Sequence, residues 1–303
     1  MDSGLTIVSR CRPRVDSARM PICRFLEVGV ITAIAVFDID GVIRDVGNSY
    51  RRALADTVEH FTQSAYRPSQ ADIDRLKAEG LWNNDWEASQ EMIYRYFEAQ
   101  GQPRSSWEAD LDYGALVDFF QRRYRGEDLD NPDHWNGYIA HEPLLLQPTY
   151  LETLTKAGIP WGFFSGATRG SACFVLEKRL GLRSPVLVAM EDAPGKPDPS
   201  GLFQVLDQLA AASSGTTVFY VGDTVADMQT VERAKLLRPE RQWIGVGVLP
   251  PHAQQSPEYR EAYVAQLQAA GAAIVLDNVT HLDPEQIQAV QKALSAESTH
   301  LQK

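Results

Sequence analysis

The sequence predicts an α/β fold: a parallel sheet covered by helices and interrupted by an all-helical insertion. Three observations predict it. Short apolar runs alternate with amphipathic helical stretches, a pattern that sets successive strands parallel with helices on both faces of the sheet. Between residues 48 and 147 the alternation stops and no convincing strand pattern appears. Finally, carboxylates, glycines, a serine and a lysine fall just after four of the strand runs. That is the edge at which open α/β sheets bind ligands.

Each element has its own signal. "TAIAVF" is a short apolar run that ends at a loop, as strands buried on both faces do. In "SYRRALADTVEHF", Tyr50, Leu54, Val58 and Phe61 recur at helical spacing. "SQADIDRLKAEG" opens on a capping Ser69 and closes at Gly80. "DWEASQEMIYRYFEAQG" and "WEADLDYGALVDFFQRRYRG" read as two further helices, each closed by glycine. After Pro148, helix "YLETLTKAG" leads to strand "IPWGFFSG", and helix "RGSACFVLEKRLG" to strand "PVLVAM". Helix "GLFQVLDQLAA" precedes strand "TTVFYVGD", and helix "VADMQTVERAKL" precedes strand "WIGVGVL". Helix "EYREAYVAQLQAAG", strand "AAIVLD" and helix "PEQIQAVQKAL" complete the chain. The strand-to-strand crossovers are expected to be right-handed.

The 303 residues suffice for a sizeable core in one large or two modest domains. A net charge of -11 excludes nonspecific binding to nucleic acid or to an anionic membrane, whose phosphates it would repel. It leaves room for a small anion held at a local metal or basic site. The longest apolar stretch, "VGVITAIAVF", is too short to span a bilayer. Cys11, Cys23 and Cys173 have no metal-ligand spacing, which favours a reducing, cytoplasmic setting. Residues 1–30 read as an N-terminal extension, with Arg10, Arg12, Arg14, Arg19 and Arg24 scattered among Ser, Pro and Cys. A targeting segment is weighed against a disordered tail or a reading frame whose true start is Met20, and the latter pair is preferred.

The features at the strand ends are "FDIDGV", "FFSGATRG", "EDAPGKPDP" and "VGDTVAD". They bring Asp38, Asp40, Ser165, Lys196, Asp223 and Asp227 to one sheet edge, although these residues span most of the chain. Singly, each has an ordinary explanation, as a turn, a helix cap or a loop. Together and in this order they make the sequence resemble the haloacid dehalogenase superfamily, over about residues 31 to 278. A helical insertion after the first motif resembles the cap of the subfamily that includes phosphoglycolate phosphatases and β-phosphoglucomutase.

The resemblance implies a Rossmann-like core over 31–47 and 148–303 and a helical cap over 48–147. It implies a Mg²⁺-dependent phosphatase acting on a small phosphorylated metabolite through an aspartyl-phosphate. In that reading Asp38 is the nucleophile and Asp40 the general acid/base. Asp223 completes a Mg²⁺ site with Asp38 and the Asp40 backbone carbonyl. Gly41 permits the tight turn of the phosphate loop. Ser165 and the open approach at Gly166 bind the phosphoryl group. Lys196 neutralises it and orients Asp38, and Asp227 supports Lys196 or the metal's waters. Among Arg44, Arg51 and Arg52, Arg44 is the preferred contact for a second anionic group of the substrate, because it directly follows the phosphate loop.

In "LWNNDWEAS", Trp82 and Trp86 flank Asn83, Asn84 and Asp85. These residues either line a pocket for a polar metabolite or cap a helix with the rings packed beside it. Capping is the preferred reading. His141 and His252 are read as surface or structural. The competing functions are a phosphomutase of the β-phosphoglucomutase type, which the "DGV" form of the first motif keeps open, and a non-catalytic binding protein of the same fold. A monomer or homodimer is expected.

Overall fold

The computed structural model describes residues 33–300, apart from 83, 107–110 and 210–214. The readings of the N-terminal extension therefore lie outside the described residues. Six parallel strands form one sheet in the order β3-β2-β1-β4-β5-β6. They are β1 (Ala33–Phe37), β2 (Trp161–Phe164), β3 (Leu187–Val188), β4 (Thr217–Gly222), β5 (Trp243–Val248) and β6 (Ala272–Leu276). The chain winds outward from β1 to β3, then returns across the sheet to β4. The strand order thus reverses beside β1, where a crevice opens at the carboxyl ends. In β1, Ala33, Ala35 and Phe37 join the apolar core on one face of the sheet. Ile34 and Val36 join the core on the other. This burial on both faces is why β1 reads as an unbroken apolar run rather than an alternating one.

Four α-helices of the described residues lie between β1 and residue 148: α1 (Tyr50–Phe61), α2 (Gln70–Lys77), α3 (Asp85–Ala99) and α4 (Tyr113–Arg125). They bury a separate apolar cluster that includes Leu54, Val58, Ile73, Met92 and Phe120. Ser69 and Asp72 form a reciprocal capping box at the start of α2. After α4 come α5 (Pro148–Lys156), α6 (Arg169–Cys173), α7 (Ser200–Gln208), α8 (Val225–Leu237), α9 (Pro257–Ala269) and α10 (Pro284–His300). No helix among the described residues is long and apolar enough to cross a membrane.

Three elements differ from the sequence reading. Helix α4 begins at Tyr113 rather than Trp107, because Asp112 accepts the Ala115 N–H and so caps the helix there. Strand β3 is only two residues long; it is a sheet edge and pairs with β2 alone. The stretch after α6, Phe174–Arg179, is wound as a π-helix, and Phe174 packs on Trp135 with ring centroids 5.3 Å apart.

The two linkers that join the helical insertion to the sheet are stitched together. Asp45 N–H donates to the Pro143 carbonyl (2.9 Å) and Leu145 N–H to the Ile43 carbonyl (2.8 Å). A second tie runs from α2 to the turn after β5. Asp74 pairs with Arg51 of α1 at 2.5 Å and lies 3.2 Å from His252 Nε2. Burial alone would raise the Asp74 pKa, but Arg51 and His252 outweigh it and hold the carboxyl below its usual range. For His252, burial and the Arg51 charge push the imidazole below its ordinary value, against the pull of Asp74. A histidine depressed in the folded state contributes stability above its unfolded pKa of about 6.5, and that stability is lost as pH falls through this range. The stability difference between the wild type and His252→Gln should therefore shrink from about pH 7.5 to about pH 5.5 in urea titrations. A difference that grows on acidification would contradict this.

Candidate active site

Asp38 follows β1 directly and extends its pairing, its N–H donating to the Val221 carbonyl at 2.8 Å. The chain then turns sharply. Ile43 N–H reaches back to the Ile39 carbonyl (2.8 Å) and Gly41 N–H to the Arg44 carbonyl (2.9 Å). Ile39, Val42 and Ile43 are wholly buried and anchor this turn from below. Residues two apart in extended chain share a side, so Asp38 and Asp40 both face the crevice while Ile39 points into the core. Gly41 holds φ +75°, and a Cβ placed there would meet Asp223 Oδ2 at 2.0 Å. The Asp223 carboxylate therefore rests directly on the glycine.

Lys196, from the loop after β3, brings its Nζ to 2.9 Å from Asp38 Oδ1 and 2.6 Å from Asp227 Oδ1. Asp227 lies in the first turn of α8, in a capping box with Thr224. Its oxygens also accept from Tyr220 Oη (3.0 Å), Thr224 Oγ1 (2.6 Å) and Thr224 N–H (3.0 Å). Burial alone would lower the Lys196 pKa, but Asp227 and Asp38 more than reverse this and keep the ammonium charged. Ser165 directly follows β2 and is buried; its Oγ accepts the Ala167 N–H at 3.2 Å, leaving its own O–H to donate.

Carboxylate oxygens of Asp38, Asp223 and Asp227 lie within 4.8 Å of one another, and all three residues are buried. Burial, with Asp227 and Asp40 nearby and Lys196 opposing, pushes Asp38 up to about 6. Burial and the charges of Asp227 and Asp38 push Asp223 well above the usual carboxylate range. Lys196 is the one cation paired with this cluster among the described residues. The oxygens of Asp227 are already engaged, whereas no hydrogen bond to Asp223's carboxylate is seen there. An all-oxygen donor set with excess negative charge fits a hard divalent cation such as Mg²⁺.

Asp38, Asp40, Ser165, Gly166 and Asp223 line one cavity together with residues from helices of the insertion. Lys196, paired to Asp38 and Asp227, lines a neighbouring pocket that shares Ser165 and Gly166 with this one. Arg44 is placed differently from the sequence reading. It is fully buried, its guanidinium enclosed by Asp40, Glu142 and Tyr124, and it does not line the cavity. Arg51 does line it, but its charge is paired with Asp74. Arg52 is exposed and lies over the Tyr138 ring at 4.3 Å.

In the "LWNNDWEAS" stretch Asn83 lies outside the described residues, and the preferred capping reading holds at Asn84. Asn84 caps α3, accepting from the Trp86 and Glu87 N–H groups, and Asn84, Asp85 and Trp86 also line the cavity. Sequence reasoning missed Tyr50, Lys77 and Thr224 on the cavity wall. Lys77 carries no local signal, since α2 reaches the cavity only through the packing of the insertion.

Comparison with known proteins agrees with this architecture. Residues 32–235 match the family model of haloacid dehalogenase-like hydrolases. An imidazoleglycerol-phosphate dehydratase from Phytophthora nicotianae is 29% identical over 247 residues, covering 80% of this chain and 49% of that protein. The chain thus spans about half the length of that curated relative. A phosphonoacetaldehyde hydrolase-like protein from Oleispira antarctica superposes with a TM-score of 0.64 at 20% identity, covering 88% of this chain and 95% of that one. A β-phosphoglucomutase from Clostridium difficile gives 0.56 at 14% identity, over 88% and 99%. At such identities the two solved structures show a shared fold.

Gly41→Ala should displace Asp223 and add left-handed strain, costing about 1–3 kcal/mol of stability in urea unfolding. An unchanged unfolding curve would mean that the turn accommodates a side chain.

Proposed function

The chain belongs to the haloacid dehalogenase-like hydrolases, and we propose that it is a Mg²⁺-dependent phosphatase acting on a small phosphorylated metabolite. The observation that carries this reading is the joint placement of Asp38 and Asp40 on one turn, with Lys196 2.9 Å from Asp38 and Asp223 seated on Gly41. Asp38 and Asp223, with the Asp40 backbone carbonyl, would hold the Mg²⁺, which when bound supplies positive charge to the phosphoryl oxygens.

The chain's own groups divide the rest. A carboxylate oxygen of Asp38 attacks phosphorus as the bond to the leaving oxygen breaks, and the proton of Asp40 passes to that oxygen. Water then attacks phosphorus, its proton returns to Asp40, and the bond to Asp38 breaks. Inorganic phosphate leaves and both carboxyls are reset. Lys196 keeps Asp38 oriented, and the Ser165 hydroxyl donates to a phosphoryl oxygen. Phosphoryl transfer is mostly positioning and charge stabilisation, which this set supplies.

The phosphomutase remains the alternative; Val42 of "DGV" is wholly buried and does not line the cavity, so it does not choose between the two by contact with substrate. The substrate named for the Phytophthora relative is an imidazole-bearing phosphate ester. Such esters therefore belong in a substrate panel beside sugar and hydroxy-acid phosphates.

Purified protein should release phosphate from at least one ester of the panel with Mg²⁺ and not with EDTA. Asp38→Asn should lower that turnover by about 10⁴-fold or more, and Asp40→Asn by about 10²–10⁴-fold. Undiminished turnover in Asp38→Asn would sink the nucleophile assignment. Interconversion of isomeric sugar phosphates with only trace phosphate would favour the mutase.

A further inference from the structure

The cavity does not use Arg44, yet burying an unpaired guanidinium costs several kcal/mol, and this one is buried completely. Its partners explain its place. Nε and Nη2 both lie 2.6 Å from a single oxygen of Asp40, Oδ1, which leaves Oδ2 unclaimed by Arg44. On the other side, Nη1 donates to Glu142 Oε2 at 2.9 Å and to Tyr124 Oη at 2.6 Å. Glu142 belongs to the linker that returns from the insertion, and its Oε1 accepts from Ser49 Oγ (2.5 Å) on the outgoing linker. Tyr124 is in α4, and its ring lies 4.0 Å from that of Tyr50 in α1. The guanidinium carbon sits 5.4 Å and 5.8 Å from the centroids of those two rings.

One cation therefore joins Asp40, both linkers and two helices of the insertion. We infer that Arg44 is a positioning residue for the acid/base step: it holds Asp40 by one oxygen so that the other faces the leaving group, and Tyr124 ties that orientation to the helical insertion. The inference rests on the phosphatase reading above. Proton transfer needs the acid within hydrogen-bond reach of the leaving oxygen, and a carboxylate free to change rotamer satisfies this only part of the time. The proton itself moves as described for Asp40, and Arg44 exchanges none.

The test compares two esters that differ in their need for that proton: glycerol 2-phosphate, with a poor alkoxide leaving group, and p-nitrophenyl phosphate, whose leaving group departs as a stable anion. The quantity to compare is kcat/KM, which covers only steps through departure of the leaving group. Hydrolysis of the phosphoenzyme, common to both esters, then does not enter. Arg44→Met is made together with Glu142→Gln, so that no charge is left buried alone. It should lower kcat/KM for glycerol 2-phosphate by about 10²-fold and for the aryl ester by less than about threefold.

Tyr124→Phe, which removes one hydroxyl and keeps the ring, should lower the alkyl value alone by about 3–10-fold. If the double variant does not fold, this milder variant decides by itself. Equal losses on both esters, or no loss on either, would mark Arg44 as purely structural and overturn the inference while leaving the phosphatase reading standing. A wild-type protein that turns over neither of these esters nor any in the panel overturns the reading, and the inference with it.

Discussion

Lys196 is buried with its ammonium 2.6 Å from Asp227 and 2.9 Å from Asp38, and the aromatic rings of Phe164 and Tyr220 each lie 5.5 Å from it. A charge so far from water is tolerable only when its partners are fixed, and the sheet fixes them. Asp38 continues β1, Tyr220 lies in β4, and Asp227 opens α8 just after β4. The same aspartate caps its helix through Thr224 and accepts the Tyr220 hydroxyl. Losing Asp227 would therefore unbalance a helix end, a buried lysine and the orientation of Asp38 together. The strand order gives this cluster its location, since β1 and β4 are hydrogen-bonded neighbours although nearly 180 residues of chain separate them.

A second buried cation, Arg44, sits where the helical insertion joins the sheet. The linkers leave and re-enter the sheet side by side, paired by backbone hydrogen bonds at Asp45 and Leu145. Arg44 and Glu142 add a charged pair beneath that pairing, with neither side chain exposed. Burial pushes the Glu142 carboxyl up, to about 7, against the pull of Arg44 and Ser49. The segment that joins the helical insertion to the sheet thus also carries the arginine paired with Asp40.

Much of the fold is legible in the sequence for a simple reason. Strands β1, β4 and β5 are buried on both faces and so appear as continuous apolar runs, and the aspartates that follow β1 and β4, Asp38, Asp40 and Asp223, meet the cavity. Asp38, Asp40, Ser165, Lys196, Asp223 and Asp227 do come to one place, as the rule for carboxyl ends of parallel strands anticipates. Arg44 was misread because its partners Tyr124 and Glu142 stand 80 and 98 residues away. An arginine next to a phosphate loop looks like a ligand contact until its distant partners are seen. The Asn84–Trp86 stretch shows that capping and cavity lining are not exclusive: the backbone groups of a helix start use the Asn84 side chain while its neighbours face the ligand space. Lys77 and Tyr50 depend on how helices of the insertion pack, which local pattern does not encode.

The charge balance around the cavity bears on its chemistry. A chain of net charge -11 presents Asp38, Asp40, Asp85 and Asp223 to the same space, an unwelcoming environment for a phosphate dianion. The cations nearby are already committed: Lys196 to Asp38 and Asp227, Arg51 to Asp74, Lys77 to Asp85 at 2.8 Å, and Arg44 to Asp40 and Glu142. None adds uncompensated positive charge for a dianion. A divalent ion held by Asp38 and Asp223 would offset the net negative charge of the cluster, and would relieve the repulsion that raises both carboxyls. On this argument the metal is a condition for binding as well as for catalysis in the proposed reaction.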